Sequence, residues 1–328
     1  MGNDIITLIR ATKTIKVLAY ITAFEDISAV KRCLQSLADQ SFPVAKILIV
    51  DNSPNRPILP TDYQDVCAEI TEKIIIQYHP ENIGVGGGLE IAFNFGKQEK
   101  YDFIWTFDQD SIPSPDCLQI LIEKYYHISQ TNFPIGIIAP TAIDKRTNSI
   151  IEAATFQKYR FLGQHHQDVD FYECDAPITS GSLIPLSVIQ SISLQLANLF
   201  IDGVDFELGM QIKQQGFHNI IITSAKMYHL FGIPTQVSFL GQEKTIHLYS
   251  PLRHYYICRN HTFLELKYVN QSVNKWLVII VYLWRIKLTL SMIVKIYLYH
   301  PEDRYSKIQA CFLGTYHGLI GKLGKNWC

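Results

Sequence analysis

Four short runs of apolar residues, rich in β-branched and aromatic side chains, stand in the first third of the chain: IKVLAYITAF (15–24), KILIV (46–50), IIIQY (74–78) and FIWTF (103–107). None alternates polar and apolar residues as a strand with one wet face would, and each is too short for a free helix. Segments of helical spacing lie between them. Val30, Cys33, Leu34 and Leu37 follow Ser28, a candidate N-cap, so the spacing predicts a helix over 29–40. Apolar strands alternating with helices dictate an α/β fold, with a mostly parallel central sheet flanked by helices.

Further along, ENIGVGGGLEIAFNFG (81–96) opens another helix, with Leu89, Ala92 and Phe93 on its buried face. A helix over 116–129 and a strand over 135–139, ended by Pro140, come next. Residues 141–176 are polar and irregular, suited to edge strands or a lid. The small residues of Thr179-Ser180-Gly181-Ser182 invite close approach of a neighbour. A helix over 186–193, a second over 206–215 stopped at Gly216, and a strand over 220–223 complete the pattern, leaving His229 and Gly232 in a loop.

The boundary is placed near residue 240: a ligand-binding domain over 1–240, then a mostly helical region over 241–328. Charge divides along the chain. Residues 275–328 carry eight Lys/Arg and two Asp/Glu, a net of +6, so with −1 overall the preceding residues carry −7. That balance gives no case for nucleic acid; a basic, apolar tail fits an anionic membrane surface. Within 275–299, Arg285 and Lys287 interrupt the apolar run, which argues against a spanning helix. Their wheel positions look scattered, with no clean amphipathic stripe. The segment is expected to lie on a bilayer or pack against the body, and an apolar face of this kind equally fits a homodimer. Seven dispersed cysteines without a CxxC, and no apolar leader in MGNDIITLIRATKT, point to a reducing, cytoplasmic setting.

The chemistry gathers at strand ends. The run 103–107 delivers Asp108 and Asp110, two carboxylates able to share a hard divalent cation, Mg²⁺ or Mn²⁺, directly or through a bound diphosphate. The competing reading is a solvated turn. Asp51 ends the second strand, either capping the turn Asn52-Ser53-Pro54 or accepting hydrogen bonds from a base or ribose. The glycines at 84, 86, 87 and 88 do not have G-x-G-x-x-G spacing, and no Gly-Lys-Ser/Thr follows, so a Rossmann fingerprint and a P-loop are both weak. Asp202, Asp205 and Glu207 gather at a helix start; helix capping explains some of them, and one suits a general base, Asp205 foremost. His229 is either a packed residue or a third metal ligand.

Taken in order, these motifs resemble the family 2 glycosyltransferases of the GT-A fold, and within them the bacterial rhamnosyltransferase-type enzymes, over about 16–325. The resemblance implies that Thr22 and Phe24 line the base and Asp51 binds it, with Asn82 and Gly84 to Gly88 beside the nucleotide. FDQDS supplies the metal-binding Asp108 and Asp110. In FIDGVDFELGMQIKQQGF, Asp205 falls at the catalytic base with Glu207 close by. His229-Leu230-Phe231-Gly232 makes His229 a ligand of metal or diphosphate. PLRHYYICRN brings Arg253, Tyr256, Arg259 and Asn260 to the closing of the donor site. The implied donor is dTDP-rhamnose and the implied acceptor a lipid-linked polysaccharide precursor, met at the cytoplasmic face of the membrane. Two alternatives are a UDP-hexose or UDP-galactofuranose donor and a non-catalytic carbohydrate-binding subunit. Two departures stand out: Gln211 where relatives usually have arginine, and Leu208 near a position often aromatic.

Overall fold

A computed structural model of the chain describes residues 15–230, 233–239, 242–271, 275–299 and 302–327. The expected lack of a leader concerns residues 1–14 and, like Gly232 and the boundary residue 240, lies outside that description. The chain divides into two compact units: Met1–Thr155 with Gly163–Ala197 and Asp205–Leu230, and Phe156–Leu162 with Asn198–Val204 and Phe231–Cys328.

The first stretch of elements is β1 (Val17–Ala23), α1 (Ile27–Ala38), β2 (Lys46–Asp51), α2 (Ala68–Thr71), β3 (Ile74–Tyr78), α3 (Gly84–Gln98), β4 (Phe103–Asp108), β5 (Ile112–Pro113) and α4 (Cys117–Ser129). Next come β6 (Ile135–Asp144), β7 (Ala153–Gln157), β8 (Arg160–Gln164), β9 (Phe171–Cys174), β10 (Leu183–Pro185), α5 (Leu186–Gln190), α6 (Val204–Gln214) and β11 (His218–His229). Among the described residues, nine strands form one sheet in the order β3-β2-β1-β4-β10-β6-β11-β5, with β9 also on β11. From β3 to β4 every pairing is parallel. Beyond β4 the sheet is mixed: β10 runs antiparallel to both neighbours, β6 and β11 are parallel, and β5 and β9 are antiparallel to β11.

The apolar strands are buried as their composition requires, with Val17, Ala19, Ile21, Ile47, Ile49 and Trp105 all in the core. Local details differ from expectation. Helix α1 is capped by Asp26, whose carboxylate accepts from Ala29 N at 2.9 Å, while Ser28 donates its hydroxyl to Asp26 at 2.6 Å. A carboxylate outcompetes a hydroxyl for the exposed amides because it carries charge. Strand β6 runs on through Pro140 to Asp144; the β6–β11 register breaks between Ile222 and Lys226, beside that proline, where a missing N–H costs little. Strand β11 is 12 residues long, so His229 ends a strand rather than standing in a loop.

The glycine cluster lies inside α3, not ahead of it. Gly84 has φ +72°, which starts the helix. Gly88 lies against β1: a Cβ there would stand 2.3 Å from the Tyr20 hydroxyl. Its bareness therefore permits helix-to-sheet packing. Gly88→Ala is expected to cost about 1–3 kcal/mol in urea unfolding. Tyr20→Phe in the same chain should recover part of that, since the next ring atom is 3.4 Å away.

The second unit contains β12 (Ile233–Phe239) and β13 (Gln242–Leu248), an antiparallel pair, followed by α7 (Pro251–Asn270), α8 (Trp276–Tyr299) and α9 (Arg304–Leu319). Its apolar contacts are small and separate. Leu266, Val269 and Val281 form one cluster; Cys258, Ile296 and Cys311 form another. Polar groups are buried between them. Arg285 and Glu265 are each 4 % exposed and stand 3.6 Å apart. Burial pushes the Glu265 carboxyl up to about 7, against the opposing pull of Arg285. A raised carboxyl stabilises the fold fully below its unfolded value, and that contribution is lost as pH rises through about 7. Thermal melting should fall between pH 5 and pH 8 in the wild type, and Glu265→Gln should flatten that slope.

Candidate active site

The C-terminal ends of three parallel strands meet in register. Thr22 of β1 pairs with Asp108 of β4, and Ala23 pairs with Asp51 of β2. Sheet edges of this kind collect ligands, because the chain leaves the sheet there and side chains face an open crevice.

Asp108 is followed at once by a short return. Ile112 and Pro113, expected only to turn the chain away, form β5 and pair with Tyr228 and Met227 of β11. That pairing brings His229 to the two aspartates. His229 Nδ1 is 3.3 Å from Asp110 Oδ1, and its Nε2 is 4.0 Å from Asp108 Oδ2. Among the described residues, these three alone make a group of His, Cys, Asp or Glu whose ligand atoms lie within 4.8 Å of one another. Two hard oxygens and one imidazole nitrogen suit a divalent cation with positions left for other ligands. Cys33 lies buried nearby; burial first, and then the charges of Asp110 and Asp108, push its thiol far up, so it stays neutral.

Polar side chains that sequence reasoning passed over hold the trio. Ser111 Oγ lies 2.9 Å from His229 Nδ1 and 2.5 Å from Ser180 Oγ, which accepts from the Asp108 N–H at 2.9 Å. Ser180 belongs to the small-residue stretch, whose close neighbour proves to be β4: Gly181 N donates to Thr106 O, and Trp105 Nε1 to Gly181 O. Gln109, between the aspartates, clips the end of β1. Its Oε1 accepts from Phe24 N at 2.7 Å and its Nε2 donates to Phe24 O at 3.0 Å. The Phe24 ring is left exposed at that edge.

Other expected residues are placed as follows. Asp51 is fully buried, and its two oxygens accept from Ser53 N at 3.0 Å and Ile58 N at 2.8 Å. Its carboxylate thus orders the loop after β2, the turn-capping role. Asn52 Oδ1 accepts from Ile83 N at 2.9 Å, which joins that loop to the start of α3. Asn82 is left-handed, at φ 52°, and accepts from Gly84 N at 3.0 Å. Gly88 faces Tyr20.

Asp205 and Glu207 occupy the first turn of α6 and are not members of the trio. Glu207 is buried and accepts from the side-chain amide of Gln211. Asp205 is the more exposed of the pair. Leu208 is fully buried, which makes that departure a matter of core packing.

Within the second unit, Arg253 Nε lies 3.3 Å from Asp202 Oδ1 and its guanidinium covers the Tyr249 ring. Arg259 is fully buried. It donates to the carbonyls of Gly324, Asn198 and Leu199. Asn260 donates to those of Leu199, Ile201 and Asp202. Tyr256 donates its hydroxyl to Trp327 O at 3.3 Å. Arg259 and Asn260, expected to help close a donor site, thus secure the backbone of 198–202, because buried carbonyls demand donors.

Solved structures share the fold. The likeness to S. aureus TarS 1–349 has a TM-score of 0.53 at 12 % identity, covering 93 % of this chain and 81 % of that one. A structure of GalNAc-T7 with UDP, GalNAc and Mn²⁺ also matches at TM-score 0.53 and 14 % identity, over 69 % of this chain; the match spans only 44 % of GalNAc-T7. The fold is of GT-A type, an α/β architecture with a helical C-terminal region. The family model for glycosyl transferase family 2 matches residues 19–189, and the chain belongs to that family. Among curated proteins it is similar to the dTDP-rhamnosyl transferase RfbF of Shigella flexneri, at 26 % identity over 223 residues, 67 % of this chain and 70 % of that protein.

Proposed function

We propose that this glycosyltransferase moves rhamnose from dTDP-rhamnose to a lipid-linked polysaccharide precursor, with inversion at the sugar carbon. The observation that carries a nucleotide-sugar reaction is the meeting of Asp108, Asp110 and His229 at the strand ends beside Thr22. The sugar and base rest on the likeness to RfbF. GalNAc-T7 was solved with UDP and Mn²⁺, and TarS 1–349 with UDP-GlcNAc, at a TM-score of 0.52 for the latter; both agree with a nucleotide donor, and the former with a divalent cation.

Asp108, Asp110 and His229 would hold Mg²⁺ or Mn²⁺, and a bound cation supplies positive charge to a departing diphosphate. Ser111 fixes the imidazole, so the ring needs no reorientation on binding. The exposed Phe24 ring offers a face for a base to stack on, beside Thr22. Asp205 takes the proton of the acceptor hydroxyl as its oxygen attacks. Glu207 is the weaker candidate, since it is buried and engaged with Gln211. A lipid acceptor would set the reaction at the cytoplasmic face of the membrane.

The test is a donor panel. Purified protein is assayed with dTDP-rhamnose, UDP-hexoses and UDP-galactofuranose, with Mg²⁺ and with Mn²⁺. Turnover of UDP-sugars alone would remove rhamnose from the proposal, and turnover of none would favour a carbohydrate-binding subunit. Asp205→Asn should bind nucleotide nearly as the wild type does while losing about 100- to 10,000-fold in transfer rate. Asp110→Ala should weaken metal-dependent nucleotide binding by about tenfold or more in calorimetric titration.

A further inference from the structure

Helix α8 is amphipathic the wrong way round for a soluble protein. Arg285 and Thr289 point inward, while Lys287 and Lys295 stay exposed. Arg285 meets Glu265 and donates from Nε to Thr262 Oγ1 at 2.9 Å; Thr289 shares a 2.7 Å hydrogen bond with Thr315. Its apolar residues point outward. Trp276, Ile279, Leu283, Leu290, Val294 and Tyr297 are all at least half exposed, and they recur every three, four or seven positions, one face of a helix. The sequence pattern looked scattered because Arg285 belongs to the packed side. Helix α9 adds exposed Tyr305, Phe312 and Tyr316, and exposed Ile320 follows its end.

At 1.5 Å per residue, α8 is long enough to cross a bilayer, with a mean hydropathy of 2.0 over its best window. It does not stand alone, however. Val281, near its start, packs on Leu266 and Val269 of α7; Ile296, near its end, packs on Cys258 and Cys311. Crossing would drag Arg259, Asn260 and Glu265 of α7 into hydrocarbon alongside it, at a cost of several kcal/mol for each polar group left in lipid. A helix held along its length by polar neighbours lies in the plane of the membrane.

The charges within α8 and α9 are of one sign; the exposed carboxylates of Glu302 and Asp303 lie in the turn just before α9. Lys275, Lys287, Lys295 and Lys322 are exposed, and neither α8 nor α9 contains an acidic residue. A second copy docked through a two-fold axis would set lysine toward lysine with no carboxylate on either helix to answer it. An anionic lipid surface answers all of them.

We propose that the outward face of α8, continued by α9, is a membrane-docking surface that seats in the headgroup–acyl boundary of an anionic bilayer with α8 parallel to its plane. The inference rests on the reading above for what the enzyme finds there, a lipid-borne acceptor, but the surface itself is argued from exposure and charge.

Vesicle pelleting tests it, using the full chain without substrate. Wild-type protein should pellet with mixed phosphatidylglycerol–phosphatidylcholine vesicles and far less with phosphatidylcholine alone. It should also be released from isolated membranes by alkali. Leu283→Glu with Leu290→Glu, both at exposed positions, should lower vesicle partitioning by about tenfold or more, with circular dichroism unchanged. Lys287→Glu with Lys295→Glu should erase the preference for anionic lipid. Unaltered partitioning of the leucine variant would overturn the proposal, as would a wild type that ignores both vesicles or resists alkali. A wild-type dimer in light scattering that the leucine variant splits would assign the face to a second copy instead. A chain that binds vesicles yet turns over no nucleotide sugar would support the surface while sinking the catalytic reading.

Discussion

Two paired residues decide whether Asp110 and His229 can meet. Ile112 and Pro113 pair with Tyr228 and Met227, and without that contact Asp110 and His229 have no reason to meet. The pairing joins segments more than a hundred residues apart, and it is too short to stand alone. It holds because β11 is already anchored on β6 and β9, which leaves one edge open for a two-residue strand. Ser111, directly before that strand, then reaches the imidazole. The site thus depends on the sheet and sits on its rigid elements.

The same sheet explains why the glycines matter. Gly88 brings α3 down onto Tyr20, and Gly86 would set a Cβ 2.1 Å from the Leu196 carbonyl. These are packing contacts of a helix on its neighbours. A glycine cluster near a nucleotide fold invites a phosphate-loop reading, but a missing Cβ serves close packing and phosphate approach alike. Composition alone does not separate the two uses; only the atom facing each Cα does.

The two units stabilise themselves differently. The first buries a broad apolar sheet. The second buries charge: Arg285 against Glu265, and Arg259 against three backbone carbonyls. Buried ions cost desolvation and return it only when well partnered. Turning Arg285 and Thr289 of α8 inward leaves most of its apolar residues outward, an arrangement that water disfavours and a lipid boundary favours.

Much of the fold was legible in sequence. Strands 46–50, 74–78 and 103–107 and the helix behind Asp116 follow from apolar runs and spacing, since local burial pattern and local conformation are coupled. Asp108, Asp110 and His229 were each legible as candidates. What sequence left open were the partners. Asp51 had two possible roles, of which the loop 52–58 shows the capping one; Pro140 read as a strand end until a register break on β11 made room for it; Gln109, Ser111 and Ser180 carried no signal of their own. Residue type and periodicity report which face of an element is buried, so they determined the elements. Hydrogen bonds between distant segments have no period, so the meeting of His229 with its aspartates, and the outward turn of the greasy face of α8, were decided only when the chain folded.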